Sequence, residues 1–363
     1  MKIEIYSPTI RRKEMDAVLT AMVEEKIGPG DRNRLLIQTA KEQLRFDYAL
    51  ALRSPAVALH TSLKALCHQG QAVVLSALSP LYYLQVLHDL QLTPLFCDVT
   101  FDFPCMSREL IENALAKKPE GLEVGAVVLN HTLGFLPDTA SIAELGLPVI
   151  EDVSQSYGSA ILPKKERLQE GEEKKEAAEA QATVKLAGAD SVFCIVGLEE
   201  RDMLTSGGGA VLFAMNRKDG TALRNFAGLA NEYCLPDINA ALAVVQFKDI
   251  YRNIERRRDI AKVYLQASLR TRHKRFIPLN ENEYCNYSFS LILETGLKDV
   301  IAYARKKEIE VENAFEKTIA GAGFCDDCPV SNSLVLRTVL FPMYPRLRSQ
   351  DAERVSRLVM TLP

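Results

Sequence analysis

With 363 residues, 47% of them hydrophobic and 25% charged, the chain is long enough to bury two cores. A formal net charge of −3 and a pI near 6.1 exclude a general positive field that would gather nucleic acid or an anionic membrane. Eight thinly spread cysteines, several inside apolar runs, do not form the framework of a small disulfide-rich domain, and reduced thiols in a cytoplasmic protein are expected. From about residue 46 to 160, short apolar runs alternate with helix-period segments. The pattern predicts a helix over Ala56–Leu66, a strand over Ala72–Leu75, a helix over Leu81–Leu90, and a strand over Pro94–Cys97. It continues with a helix over Ser107–Ala116, a strand over Ala126–Leu129, a helix over Thr139–Leu145, and a strand over Pro148–Ile150.

Strand and helix in rotation predict an α/β fold, a mostly parallel central sheet flanked by helices. Polar residues follow several strands at once, as in Cys97-Asp98, Leu129-Asn130-His131 and Ile150-Glu151-Asp152. Ligands of open parallel sheets bind at these carboxyl ends, so the chemistry is sought there. Residues 163–185 form a run rich in Lys, Glu and Ala with mixed charge signs, expected as a charged insertion. Strands resume at Asp190–Val196 and Gly209–Ala214 around a glycine run, and from about 236 the pattern turns helical over Ile238–Gln246 and Tyr251–Leu269. The division expected is a large domain over 1–240 and a smaller C-terminal α/β domain over 241–363. No apolar stretch reaches the length of a signal peptide at the N-terminus or of a membrane span anywhere.

The spacing of Cys325 and Cys328 is compatible with half a zinc site or a redox pair. No second pair or histidine cluster accompanies it in the sequence, so an ordinary loop or strand edge is expected and no metal site is assigned.

Taken in order, several spaced stretches resemble the DegT/StrS-type sugar aminotransferases, a branch of the fold type I pyridoxal-phosphate enzymes. They include Gly28-Pro29-Gly30 ahead of a helix, Ala58-Leu59-His60, Asn130-His131 with Gly134 beyond, Glu151-Asp152 with Gln155 and Gly158, Gly207-Gly208-Gly209, and Asp237-Ile238-Asn239. The resemblance covers nearly the whole chain. It implies the fold type I architecture, a homodimer, pyridoxal phosphate as cofactor, and a nucleotide-sugar or another small anionic ligand as the bound molecule.

In that family a lysine holds the cofactor as a Schiff base, an aspartate keeps the ring nitrogen protonated, and an aromatic residue stacks on the ring. The resemblance places Asp152 at the aspartate position and Gln155 at a neighbouring cofactor contact, with Asn130 and His131 in the same ancestral pocket. Taken alone, Asp152 is as readily a turn residue after a strand. The lysine position falls on Arg201, counted back from the glycines, or on Glu200, counted forward from Asp190. Neither residue can form a Schiff base, and a permanently charged Arg201 is not expected to catalyse. It is expected to project into the vacated pocket.

Where the family carries Ser-Gly-Thr at a phosphate-binding helix start, this chain has Ser54-Pro55-Ala56, which removes an amide hydrogen and a hydroxyl. The stacking aromatic maps near Pro80, with Tyr82 or Tyr83 as substitutes, and a serine ahead of the lysine is replaced by Ile195-Val196. A proline in a first helical turn or an arginine in a loop is ordinary by itself; their coincidence at one pocket carries the argument. The expected function is therefore a family member that has lost transamination and acts by binding. Two alternatives stand beside it: an aminotransferase or dehydratase with an atypical site, and a scaffold whose 163–185 segment docks a partner.

Overall fold

The computed structural model describes residues 2–44, 46–162, 184–225, 229–279 and 281–363. The charged run expected at 163–185 lies outside the described residues except for its last two. In chain order the first half contains α1 (Arg12–Val23), α2 (Asp31–Leu44), β1 (Tyr48–Leu52), α3 (Pro55–Leu66), β2 (Ala72–Ser76), α4 (Tyr82–Asp89), β3 (Thr93–Cys97), α5 (Arg108–Lys117), β4 (Val124–Asn130), α6 (Thr139–Ala143) and β5 (Val149–Asp152). Next come β6 (Ala160–Ile161), β7 (Lys185–Leu186), β8 (Phe193–Gly197), β9 (Ala210–Ala214), α7 (Arg217–Asn225) and α8 (Asp237–Ser268). The C-terminal part is β10 (Phe289–Ile292), α9 (Leu297–Lys306), β11 (Glu312–Asn313), α10 (Pro329–Arg337), β12 (Thr338–Phe341) and α11 (Ser349–Met360).

The predicted rotation of strand and helix is present. The large sheet has the order β1-β9-β8-β5-β4-β2-β3, parallel throughout except for β9, which runs antiparallel to both its neighbours. Strands β2, β8 and β9 are buried along their whole length, because helices cover both sheet faces. Pro94 is tolerated because β3 is the last strand of the sheet, where a missing amide hydrogen need not be paired. Strand β1 was not expected: its short apolar run leads almost directly into the apolar face of α3 and gives no separate periodicity.

A single helix, α8, replaces the two predicted segments. Its 32 residues span about 48 Å and serve two cores in turn. Ala240, Ala243, Val244, Phe247, Ile250 and Ile254 pack against β8 and β9. Ile260, Ala261, Tyr264 and Ala267 pack with the small antiparallel sheet β10-β12-β11 and with α11. The 240/241 division thus falls inside the first turn of α8, and Ile3 from the N-terminus joins the C-terminal core.

The start of α8 is fixed by Asp237, only 1% exposed. Its carboxylate accepts from the amides of Gly30 (2.9 Å), Asn33 (2.8 Å) and Arg32 (3.1 Å), so it caps α2 from outside. A Cβ on Gly30 would lie 3.0 Å from Asp237 Oδ2, which explains the glycine there. Asp237→Ala leaves three backbone donors in a buried place without their acceptor. The expected loss is about 3 kcal/mol of stability, read as a lower urea midpoint at unchanged slope, with Asp237→Asn losing less.

Candidate functional site

The carboxyl ends of β4, β5 and β8 bring the expected pocket together. Asp152 ends β5 and is 3% exposed. Its Oδ2 accepts from the Tyr83 hydroxyl at 2.7 Å and from the Tyr82 hydroxyl at 3.3 Å. Its Oδ1 accepts from the amide of Ser154 at 3.0 Å and also from the Ser154 hydroxyl. Four donors from its own chain therefore saturate both oxygens. Tyr82 and Tyr83 open α4, with their rings edge to face at 4.9 Å. Burial first, and the Asp152 charge next, push both phenols well above their usual range, so both remain protonated donors.

The lysine-position segment has a different geometry from the one expected. Arg201 turns to the surface, where its Nη1 pairs with Glu312 at 2.5 Å and its guanidinium stands 5.7 Å from the Tyr6 ring. It does not project toward Asp152, because the inward place is taken by the next residue. Asp202 Oδ2 accepts from the Glu199 amide at 2.9 Å and lies against Gly197, where a Cβ would be only 2.3 Å from it. Ser154 Oγ crowds the same spot and accepts from the Gly197 amide at 2.8 Å. Glycine at 197 is thus what lets two polar side chains converge. Burial, opposed by the Glu199 amide and reinforced by the Asp152 charge, raises the Asp202 carboxyl to about 7.

The remaining expected residues are present but engaged. Ser54 caps α3, its Oγ accepting from the Val57 amide at 3.3 Å; Pro55 occupies the first turn without an amide hydrogen, and Ala56 follows. Asn130 donates to Thr132 Oγ1 at 3.0 Å. His131 is fully buried with Nδ1 2.7 Å from Ser156 Oγ and Nε2 2.9 Å from Glu151 Oε1, and Thr139 donates to the same oxygen at 2.7 Å. Serine, histidine and glutamate resemble a nucleophilic triad in composition only. With all three buried, they tie β4 to β5 instead. Gln155 Oε1 accepts from the Leu133 amide at 2.7 Å, holding a turn in which Leu133 has φ +56°.

The residues present do not fit pyridoxal phosphate. The stretch 186–217 contains no lysine, and among the described residues no lysine is buried. Asp152 has no oxygen left for a ring nitrogen. The hydroxyl at the α3 start is spent on its own helix. Ile195 and Val196 are fully buried, on opposite faces of β8, and carry nothing polar.

Sequence reasoning missed Ser154 and Asp202. No periodicity between Gly197 and Gly207 signals which residue turns inward; the crowding at Gly197 decides it. A cleft beside this site is lined by Tyr6, Arg201, Arg257, Tyr287, Ser288 and Glu312. Arg257 is 4% exposed and donates to the carbonyls of Tyr287 and Met343, both at 2.6 Å.

Comparison with known proteins agrees with the fold. A dTDP-4-amino-4,6-dideoxy-D-glucose transaminase from Escherichia coli is 22% identical over 350 residues, covering 88% of this chain and 86% of that protein. The aminotransferase TlmJ from Streptoalloteichus hindustanus superposes with a TM-score of 0.82 at 19% identity, covering 99% of this chain and 98% of its own. A GDP-4-keto-6-deoxymannose-3-dehydratase crystallised with GDP-perosamine gives 0.81 at 13% identity, covering 98% and 100%. The model of the DegT/DnrJ/EryC1/StrS aminotransferase family matches residues 8–166 and 206–360, and the unmatched interval includes the strand and loop where the lysine is missing. The chain belongs to the DegT/DnrJ/EryC1/StrS aminotransferase family.

Proposed function

We propose that this family member has left transamination and works by binding, as a homodimer in the cytoplasm, with a nucleotide-sugar, another small anionic ligand or an active homologue as its partner. The observation that carries this reading is the saturated carboxylate of Asp152: a group that must greet a cofactor nitrogen instead holds Tyr82, Tyr83 and Ser154. The absence of lysine from 186–217 supports it independently. An anionic ligand in the adjoining cleft would compete with Glu312 for the half-exposed Arg201 guanidinium.

A second reading, an aminotransferase or dehydratase with an atypical site, draws on one observation. Asp202, at about 7, can exchange a proton near neutral pH beside Asp152. Relatives of both reaction types support the substrate class, a nucleotide-sugar. Incubation with a nucleotide keto-sugar and an amino donor separates the readings. An amino or dehydrated sugar made by the wild type and lost in Asp202→Asn favours the second; no product favours the first.

Two outcomes follow from the first reading. Pyridoxal phosphate titrated into the purified chain produces no visible absorption shift, and borohydride leaves no stoichiometric cofactor-sized mass on any single lysine; a stoichiometric adduct at one lysine overturns the reading. The raised Asp202 carboxyl also makes stability depend on pH. The folded state keeps its proton to about 7 while the unfolded chain loses it near 3.8, so this contribution is full below pH 3.8 and is lost progressively up to about 7. In Asp202→Asn the decline over that window flattens, and the gain over wild type grows with pH to a plateau above 7. Denaturant titrations at several pH values check it.

A further inference from the structure

The segment Cys325-Asp326-Asp327-Cys328, expected from sequence to be an ordinary loop, holds its two sulfurs in a defined relation. Asp326 and Asp327 form a turn between the cysteines, and Cys328 is the cap residue of α10. Asn332 ties both cysteine backbones to the first turn of α10, its side-chain amide donating to Cys325 O (2.8 Å) and its backbone amide to Cys328 O (3.0 Å). The ends of a four-residue turn lie within about 7 Å of each other, close to the span that a disulfide bridges without backbone movement.

Both side chains are nearly buried, at 3% and 2% exposure, under a skin that is exposed: Phe324 at 60%, with Asp326 and Asp327. Each thiol is the strongest influence on the ionisation of the other. The Cys328 thiol hydrogen-bonds Cys325 and lowers it below the usual thiol range, against burial and the charges of Asp98 and Asp327. Cys328 is raised in turn, with burial, Asp98 and Cys97 adding to the effect. The third nearby thiol, Cys97, is pushed up to about 12 by burial and the Asp98 charge and is a spectator. Among the described residues no three His, Cys, Asp or Glu side chains gather as a metal site.

We propose that Cys325 and Cys328 are a redox-active dithiol, which a low-molecular-weight disulfide converts to an intramolecular disulfide across the Asp326–Asp327 turn. The Cys325 thiolate attacks one sulfur of the small disulfide, whose S–S bond breaks and releases one thiolate, which takes up a proton. Cys328 then gives up its proton and attacks the Cys325 sulfur of the mixed disulfide, releasing the second small thiol. Two electrons and two protons pass from the pair to the small disulfide, which leaves as two thiols. The loop that is closed sits on the segment leading into the Asp152 site. Ile319 N–H donates to Ser79 O at 3.0 Å, Ala320 N–H to Ala77 O at 2.8 Å, and Leu81 N–H to Lys317 O at 3.4 Å, directly before Tyr82 and Tyr83.

The full chain, reduced and then exposed to oxidised glutathione under native conditions, is quenched by alkylation and mapped by mass spectrometry. The expected product has lost the mass of two hydrogens in the peptide carrying both cysteines. Cys328→Ser stops at a glutathione adduct on Cys325, and Cys325→Ser slows modification of Cys328 by about tenfold or more. Circular dichroism of each variant confirms that it is folded, and the wild-type product needs no variant at all. The proposal is overturned if Cys325 and Cys328 stay fully alkylatable while the half-buried Cys67 and Cys234 acquire glutathione, or if the disulfide formed joins Cys97 to Cys328.

Discussion

A buried carboxylate must find donors, and Asp152 finds four within one shell of its own chain. Hydrogen bonds to a charged group contribute roughly 1.5–3 kcal/mol each, so this cluster ranks among the stronger polar contacts of the fold. It joins the end of β5 to the first turn of α4, and through Ser154 to the end of β8. Asp202 lies in the same buried space, where a second carboxylate is unfavourable. Burial, with the Asp152 charge adding to it, raises the Asp202 carboxyl to about 7. The arrangement is thus one charge shared out among hydroxyls, with a neutral acid closing the remaining space.

That cluster changes what the family fold can do at this place. The carboxyl edge of a mostly parallel sheet is where such folds receive ligands, because strand ends and helix starts converge there. Here the carboxylate at that edge is held by Tyr82, Tyr83 and Ser154. The helix start at Ser54-Pro55-Ala56 spends its hydroxyl on its own cap, and the segment that lacks lysine turns Arg201 outward to Glu312. The neighbouring cleft is lined by Arg201, which is half-exposed and paired with Glu312, and by Arg257, which is buried and donates to two carbonyls.

Much of the fold was legible because the sheet is buried on both faces. Strands such as Ala72–Ser76 and Phe193–Gly197 are continuous apolar runs stopped by polar residues, and their order enforces the α/β pattern. Helix α8 read as two pieces because Lys248 and Asp249 interrupt the apolar period, while Phe247, Ile250 and Ile254 hold the buried face through the interruption. In the site, the resemblance singled out Asp152 and Gln155, and it raised Tyr82 and Tyr83 only as stand-ins for a stacking aromatic, whereas their hydroxyls donate to Asp152. The inward turn of Asp202 was not legible, since the loop between Gly197 and Gly207 has no periodicity to say which side chain points inward. What selects Asp202 over Arg201 is the space left by Gly197 and the hydroxyl of Ser154, contacts between residues far apart in sequence.

The central claim is that Tyr82, Tyr83 and Ser154 hold the Asp152 carboxylate that would otherwise meet a cofactor nitrogen. Calorimetric titration with pyridoxamine phosphate tests it most directly, because that molecule needs no lysine to bind and so isolates the pocket from the missing Schiff base. The account predicts no saturable heat in the wild type and none in Asp152→Asn. Saturable, stoichiometric binding by the wild type that disappears in Asp152→Asn would contradict it, and would show that Tyr82 and Tyr83 yield the carboxylate to a ligand.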